Sequence, residues 1–318
     1  MRLGYDKPLY MLAFDHRSSF SKGLFGATEP LSPEIHAKVS DTKELIFEAF
    51  EQAIARGAPR ELAGALVDEQ FGSAVARKVK LSGALLAMPV ERSGQAEFQL
   101  EYGEEFGRHI EAFDPDFSKV LVRYNPEGDR ELNRRQAGRL SRLSDWLHAR
   151  QRKFLFELLV PATPAQLAPG GQERYDRELR ASLVVETLRE LQQGGVEPDI
   201  WKIEGLETSA DCARVVEQAR SGAGRGEVVC IVLGRGEDMK RVLGWLAVAA
   251  PMPGFVGFAV GRTEWLAALK GYVAGARSRE GTSHEIADGY LGLIRAFSEL
   301  KARGQGGRSV GPNERTWQ

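Results

Sequence analysis

The chain has 318 residues, 42% of them hydrophobic and 27% charged, and its 43 basic against 44 acidic side chains leave a formal charge of −1. That length and composition belong to a globular protein with a sizeable core, and so even a charge balance excludes the strong positive field that holds nucleic acid or an anionic membrane. No stretch approaches the roughly 18 apolar residues of a membrane span, and no apolar signal core precedes the first strand, so the reducing cytoplasm is the expected compartment. Cys212 and Cys230 fall in no metal-type spacing and are expected to stay unpaired.

Short β-type runs recur along the whole chain: Tyr10–Asp15, Leu62–Asp68, Leu85–Glu91, Lys119–Asn125, Lys153–Val160, Asp199–Gly205, Val228–Gly234 and Phe255–Gly261. Helical periodicity fills the intervals, from Lys43 to Arg56, Glu101 to Ala112, Glu131 to Gln151, Tyr175 to Gln193, Ala210 to Arg220 and Asp238 to Ala250, with two more helices after the last strand. Near-continuous apolar strands alternating with helices form βαβ units and a parallel sheet buried on both faces. Eight such units without a break in composition predict an α/β fold, a single (β/α)8 TIM barrel over residues 1–303, in preference to an open doubly wound sheet. Residues 304–318 read as a flexible tail, with Trp317 a possible anchor within it. The long connections from Arg17 to Asp41 and from Pro161 to Glu173 read as substrate loops or lids at the face where barrels build their sites.

Alternation along a strand separates side chains that enter the barrel from those that meet the helices. In the run Asp199–Gly205, Trp201 and Ile203 then face outward and Lys202 and Glu204 inward. Glu157 lies opposite Phe154 and Phe156, and Lys119 shares its face with Arg123 and Asn125. Ionised groups inside an apolar barrel are costly unless paired. An ion-pair network at the mouth would explain any one of them, but Lys202, Glu157, Lys119 and Asp15 together, at the ends of four strands, read as a catalytic set. A neutral lysine amine attacks a ketone, and the protonated imine then draws electrons from an adjacent C–C bond. Lys202 is the candidate nucleophile, Lys119 the neighbouring cation that would favour its neutral form, Glu157 the proton shuttle and Asp15 the group at the aldehyde-side hydroxyl.

After the last two strands come Gly234-Arg235-Gly236 and Gly261-Arg262, each where a helix is about to begin. Glycine turns, helix N-termini and arginine forks all suit a phosphate, and barrels often bind one there. Arg17 and Arg123 join them as candidate substrate contacts.

The opening Leu12-Ala-Phe-Asp-His-Arg-Ser-Ser-Phe20, the Trp201-Lys-Ile-Glu-Gly205 strand and the closing segment from Gly257 to Gly275 resemble the 2-deoxy-5-keto-D-gluconate 6-phosphate aldolase-like domain of inositol catabolism, over about residues 8 to 300. More distantly, the chain resembles the tagatose 1,6-bisphosphate aldolase family of class I aldolases. The resemblance implies a Schiff-base lysine at Lys202, the strand-five glutamate at Glu157, the strand-four lysine at Lys119 and the first-strand aspartate at Asp15. Where the tagatose enzymes carry Asp-Gln-Arg, this chain has Asp15-His16-Arg17, and Arg123 stands where they have a neutral residue. The implied reaction cleaves 2-deoxy-5-keto-D-gluconate 6-phosphate to dihydroxyacetone phosphate and malonate semialdehyde, in a homo-oligomer, with no cofactor and no metal. A metal-dependent aldolase would need several histidines at strand ends, and only His16 is so placed. No dinucleotide or P-loop motif occurs. A non-catalytic sugar-phosphate-binding barrel is the remaining alternative, though a binder has no use for Lys202 and Glu157 together.

Overall fold

A computed structural model describes residues 2–306. Eight strands, β1 (Leu9–Ala13), β2 (Ala63–Leu66), β3 (Leu85–Pro89), β4 (Phe117–Arg123), β5 (Lys153–Leu159), β6 (Ile200–Glu204), β7 (Val229–Leu233) and β8 (Phe255–Val260), pair in sequence order as a closed parallel barrel. The sheet closes where β1 lies beside β8, with Leu12 opposite Val260.

Among the described residues, twelve α-helices surround it: α1 (Ser18–Phe25), α2 (Pro33–Ala55), α3 (Glu69–Ser82), α4 (Phe106–Phe113), α5 (Arg130–Ala149), α6 (Pro164–Leu167), α7 (Gly171–Arg174), α8 (Arg180–Gln193), α9 (Ser209–Ala219), α10 (Met239–Ala249), α11 (Arg262–Val273) and α12 (Arg279–Gly306). Their starts follow local chemistry. The side chains of Ser32, Asp68, Asp129, Thr208 and Asp238 each accept a hydrogen bond from an amide in the first turn. Among the described residues, no helix is long and apolar enough to cross a membrane.

Two long connections prove to be folded. The segment after Arg17 holds α1 and the first two and a half turns of α2, because Ser32 caps a helix with Pro33 in its first turn. The segment after Pro161 holds α6, opened by a reciprocal capping box of Thr163 and Gln166, then α7, which runs through one π-helical turn (Tyr175–Leu179) into α8. Residues 304–306, read as tail, are the end of α12, and residues 307–318, with Trp317, lie outside the described residues.

Two cores result. The larger fills the space between sheet and helices and takes Trp201, Ile203, Phe154 and Phe156. The smaller lies inside the barrel and is built from Leu9, Met11, Ala13, Leu66, Ala87, Phe117, Leu155, Ile200, Val229, Ile231 and Ala259. Tyr5 packs its ring edge-on against Phe117 at 5.3 Å, on the side of this core away from the strands' C-terminal ends. Cys212 and Cys230 are free and buried.

Candidate active site

Lys202 follows Ile200 on the interior face of β6, Glu157 follows Leu155 on β5, and Lys119 follows Phe117 on β4. The β5–β6 register sets Glu157 directly opposite Lys202. Two further carboxylates continue the interior face just beyond strand ends, Asp15 after β1 and Glu91 after β3. All five side chains are buried, and all five line one cavity of about 590 Å³ at the C-terminal mouth of the barrel.

The contacts are ionic and nearly continuous. Glu157 Oε2 lies 3.0 Å from Lys202 Nζ and 3.0 Å from Lys119 Nζ. Lys119 Nζ also donates to Asp15 Oδ2 at 2.8 Å and Glu91 Oε1 at 2.9 Å. Arg17 completes the set, so that three cations face three carboxylates, the arrangement that buried charge requires. Burial raises the Asp15 carboxyl, but the charge of Lys119, helped by His16 and Lys202, overrides it and holds Asp15 well below the usual carboxylate range. Glu157 ends low for the same reason, with burial outweighed by Lys119 and Lys202. Glu91 ends raised, because burial there outweighs Lys119 and Arg17. Burial works against the Lys119 ammonium, yet Asp15, Glu157 and Glu91 keep it protonated above its ordinary range. Lys119, expected as the neighbouring cation of Lys202, is surrounded by three carboxylates that balance its charge.

Arg17 lies beside Glu91 at the cavity wall. It is 7% exposed, and its guanidinium donates to Glu91 O at 2.7 Å and to Glu101 Oε2 at 3.0 Å, with Glu91 Oε1 at 3.5 Å. These bonds clamp the turn between residues 90 and 101, where Arg92 N bonds to Gln99 O and Glu101 N to Val90 O. Arg17 thus clamps this turn, and it also lines the cavity, with a buried Nε that has no hydrogen-bond partner among the described residues. Arg123 is exposed at the cavity rim with a single 3.3 Å bond to Gln95 O.

Gly234, Arg235, Gly236, Gly261 and Arg262 all reach the cavity wall from the ends of β7 and β8. Gly236 has φ +78°, a backbone conformation that favours glycine, and its Cα lies close to the Arg262 guanidinium. Arg262 is exposed and spends one bond, 2.8 Å, on Arg235 O. The Arg235 guanidinium is committed elsewhere, to Glu204 Oε1 at 2.9 Å and Asp176 Oδ2 at 3.1 Å. The two Gly-Arg turns are therefore unequal, one arginine open to the cavity and one already holding two carboxylates. Glu204, inward as expected, also accepts from Val160 N at 3.0 Å.

Two groups escaped the sequence reading. Glu91 was seen only as a strand end, although its position two residues beyond Pro89 gives it the interior parity. Lys43 is fully buried behind the site, where its ammonium is bonded to Phe14 O, His16 O and Asp68 Oδ1. It thereby holds the backbone on both sides of Asp15. Its signal was the helix face Val39–Lys43–Ile46–Phe50, apolar except for one lysine.

A closed parallel barrel with buried lysines and carboxylates at its mouth belongs to the class of (β/α)8 proteins whose sites are assembled from strand ends. Residues 3–301 match the family described as uncharacterized proteins conserved in bacteria (DUF2090), and the chain belongs to that family. A search of curated proteins finds no match. Among solved structures the chain is similar to fructose-bisphosphate aldolase from Plasmodium falciparum, with TM-score 0.63 and 12% identity over 96% of this chain and 93% of that one. It is similar to Cgl0159 from Corynebacterium glutamicum, with TM-score 0.56 and 17% identity over 90% and 88% of the two chains. A Schiff-base-forming fructose-1,6-bisphosphate aldolase gives TM-score 0.51 at 12% identity, over 91% and 93%. At these identities the likenesses carry the barrel fold.

Proposed function

We propose that the chain is a class I, Schiff-base aldolase that cleaves a phosphorylated keto-sugar or keto-sugar acid, with Lys202 as the covalent amine. The observation that carries this reading is the buried Lys202 Nζ, 3.0 Å from Glu157 Oε2, in the wall of a cavity large enough for a sugar phosphate. Two of the similar structures are fructose-bisphosphate aldolases, one of them described as Schiff-base-forming, which supports the same chemistry on the same fold.

Glu157 takes a proton from the Lys202 ammonium, the freed amine attacks the substrate ketone, and Glu157 returns the proton to the departing hydroxyl as the carbinolamine loses water. The iminium then accepts the electron pair of the neighbouring C–C bond. The hydroxyl on the far carbon lies toward the Lys119 end of the cluster, where Asp15 and Glu91 sit. The phosphate goes to Gly236 and the start of α11, where Gly261 and Arg262 line the cavity. The resemblance in the first, sixth and last strands favours 2-deoxy-5-keto-D-gluconate 6-phosphate as substrate, giving dihydroxyacetone phosphate and malonate semialdehyde. A tagatose-bisphosphate-type substrate would use the same amine. The reaction belongs in the cytoplasm, in a homo-oligomer.

Borohydride trapping tests the proposal. After incubation with dihydroxyacetone phosphate and reduction, mass spectrometry is expected to find the adduct on the peptide holding Lys202, and Lys202→Ala is expected to give none while remaining folded. An unmodified wild-type peptide, or turnover retained by the variant, refutes the covalent mechanism.

A further inference from the structure

The cluster holds three carboxylates, and the imine chemistry at Lys202 occupies only Glu157. Asp15 and Glu91 both sit on the far side of Lys119, each bonded to the same ammonium at 2.8 and 2.9 Å. They differ in what else they touch. Asp15 is drawn into its pairing with Lys119, with His16 Nδ1 3.9 Å away from its other oxygen. Glu91 is 7% exposed, lines the cavity, and has one oxygen, Oε2, that is buried and meets no hydrogen-bond donor among the described residues. A buried carboxylate oxygen without a donor is costly unless it carries a proton or receives one from a bound molecule.

Resting on the aldolase reading above, we propose that Glu91 is the catalytic base for the aldehyde-side hydroxyl, the role that sequence alone gives to Asp15. In cleavage, Glu91 removes the hydroxyl proton and the O–H pair becomes the new C=O bond. The C–C pair moves into the iminium at Lys202 and leaves an enamine, and in condensation Glu91 returns the proton to the nascent alkoxide. Asp15 serves as the fixed counter-ion of Lys119. The surroundings of the two differ: Lys119 holds Asp15 far below its ordinary range, whereas burial, with Asp15 adding to it, leaves Glu91 raised against the pull of Lys119 and Arg17. Environments that drive neighbouring carboxyls apart are how sites assign acid and base. The Arg17 clamp, from Nη2 to Glu91 O, fixes the backbone from which this side chain extends.

Glu91→Gln keeps shape and hydrogen bonding to Lys119 while abolishing proton exchange. Two readouts separate its role from that of Lys202: borohydride trapping with dihydroxyacetone phosphate alone, and condensation of dihydroxyacetone phosphate with malonate semialdehyde or glyceraldehyde 3-phosphate. The expected result is an adduct yield like the wild type, with condensation slowed about 10²–10⁴-fold, the range of a lost general base. Asp15→Asn is the control and is expected to weaken trapping as well, since it unsettles Lys119. Condensation by Glu91→Gln at the wild-type rate overturns the assignment, and so does equal loss of trapping and condensation, which marks Glu91 as merely structural. A wild-type chain that forms the adduct yet condenses neither acceptor has no aldehyde side for Glu91 to serve, and the assignment falls while the imine reading stands. If the wild type forms no adduct, both fall.

Discussion

Inside the barrel, one step of two residues along the same strands separates two kinds of interior. On β4, β5 and β6 the lower layer is Phe117, Leu155 and Ile200, and the layer above it is Lys119, Glu157 and Lys202. Both layers are equally dry, with Phe117 and Lys119 each 1% exposed. The lower is held by apolar area and packing, which needs no particular partner. The upper persists only because every charge has an opposite within reach, and that interdependence is what makes the layer usable for chemistry.

The largest expected effect comes from removing the hub of the upper layer. Lys119→Met strands Asp15, Glu91 and Glu157 around an apolar side chain and is expected to cost about 3–5 kcal/mol of stability, the penalty for breaking a buried ion pair, together with all measurable condensation. Urea denaturation and the condensation assay read the two losses. A variant as stable as the wild type would mean that water, not Lys119, solvates these carboxylates. In the lower layer, Phe117→Ala is expected to lose about 3–5 kcal/mol through cavity formation, but to leave the rate of adduct formation per folded molecule unchanged. A fall in that rate would show that the two layers are mechanically one.

A smaller effect sharpens the point about pairing. Glu264, in the first turn of α11, is 8% exposed, and its Oε1 has no hydrogen-bond partner among the described residues. Burial alone raises its carboxyl to about 7. Because the folded state binds this proton more tightly than the unfolded chain, the side chain costs nothing below its ordinary value near 4.5, and the penalty grows as pH rises toward 7. Glu264→Gln is therefore expected to stabilise the protein by about 3 kcal/mol at pH 8, the equivalent of that shift, with the gain vanishing at pH 4.5. Urea midpoints across that range decide it, and a gain independent of pH would refer the effect to packing against Gly289.

Strand parity made much of this legible. Trp201 and Ile203 had to face the helices, so Lys202 had to enter the barrel, and the same reasoning placed Glu157 and Lys119 beside it. Parity also marked Glu91, but a glutamate at the last position of a strand resembles an ordinary solvated end, and only the closed ring reveals that the interior continues past it. Lys43 needed the start of α2 to be set at Pro33, because only the longer helix shows that lysine in the middle of an apolar face. What sequence could not supply was the partner of each arginine. Arg17, Arg235 and Arg262 look equivalent as residue types, and their availability differs only because Glu91, Asp176 and Glu204 arrive from distant parts of the chain.

The lysine behind the site bears on how far this mouth could be transplanted. Phe14 and His16 turn their carbonyls toward the Lys43 ammonium, which is also anchored by Asp68 at the end of the neighbouring strand. A graft of the catalytic side chains onto another eight-stranded scaffold would bring Asp15 without that brace. The donor segment that carries Asp15 must therefore include α2 and the residues up to Asp68, so Asp15 travels only within a complete strand–helix–strand repeat.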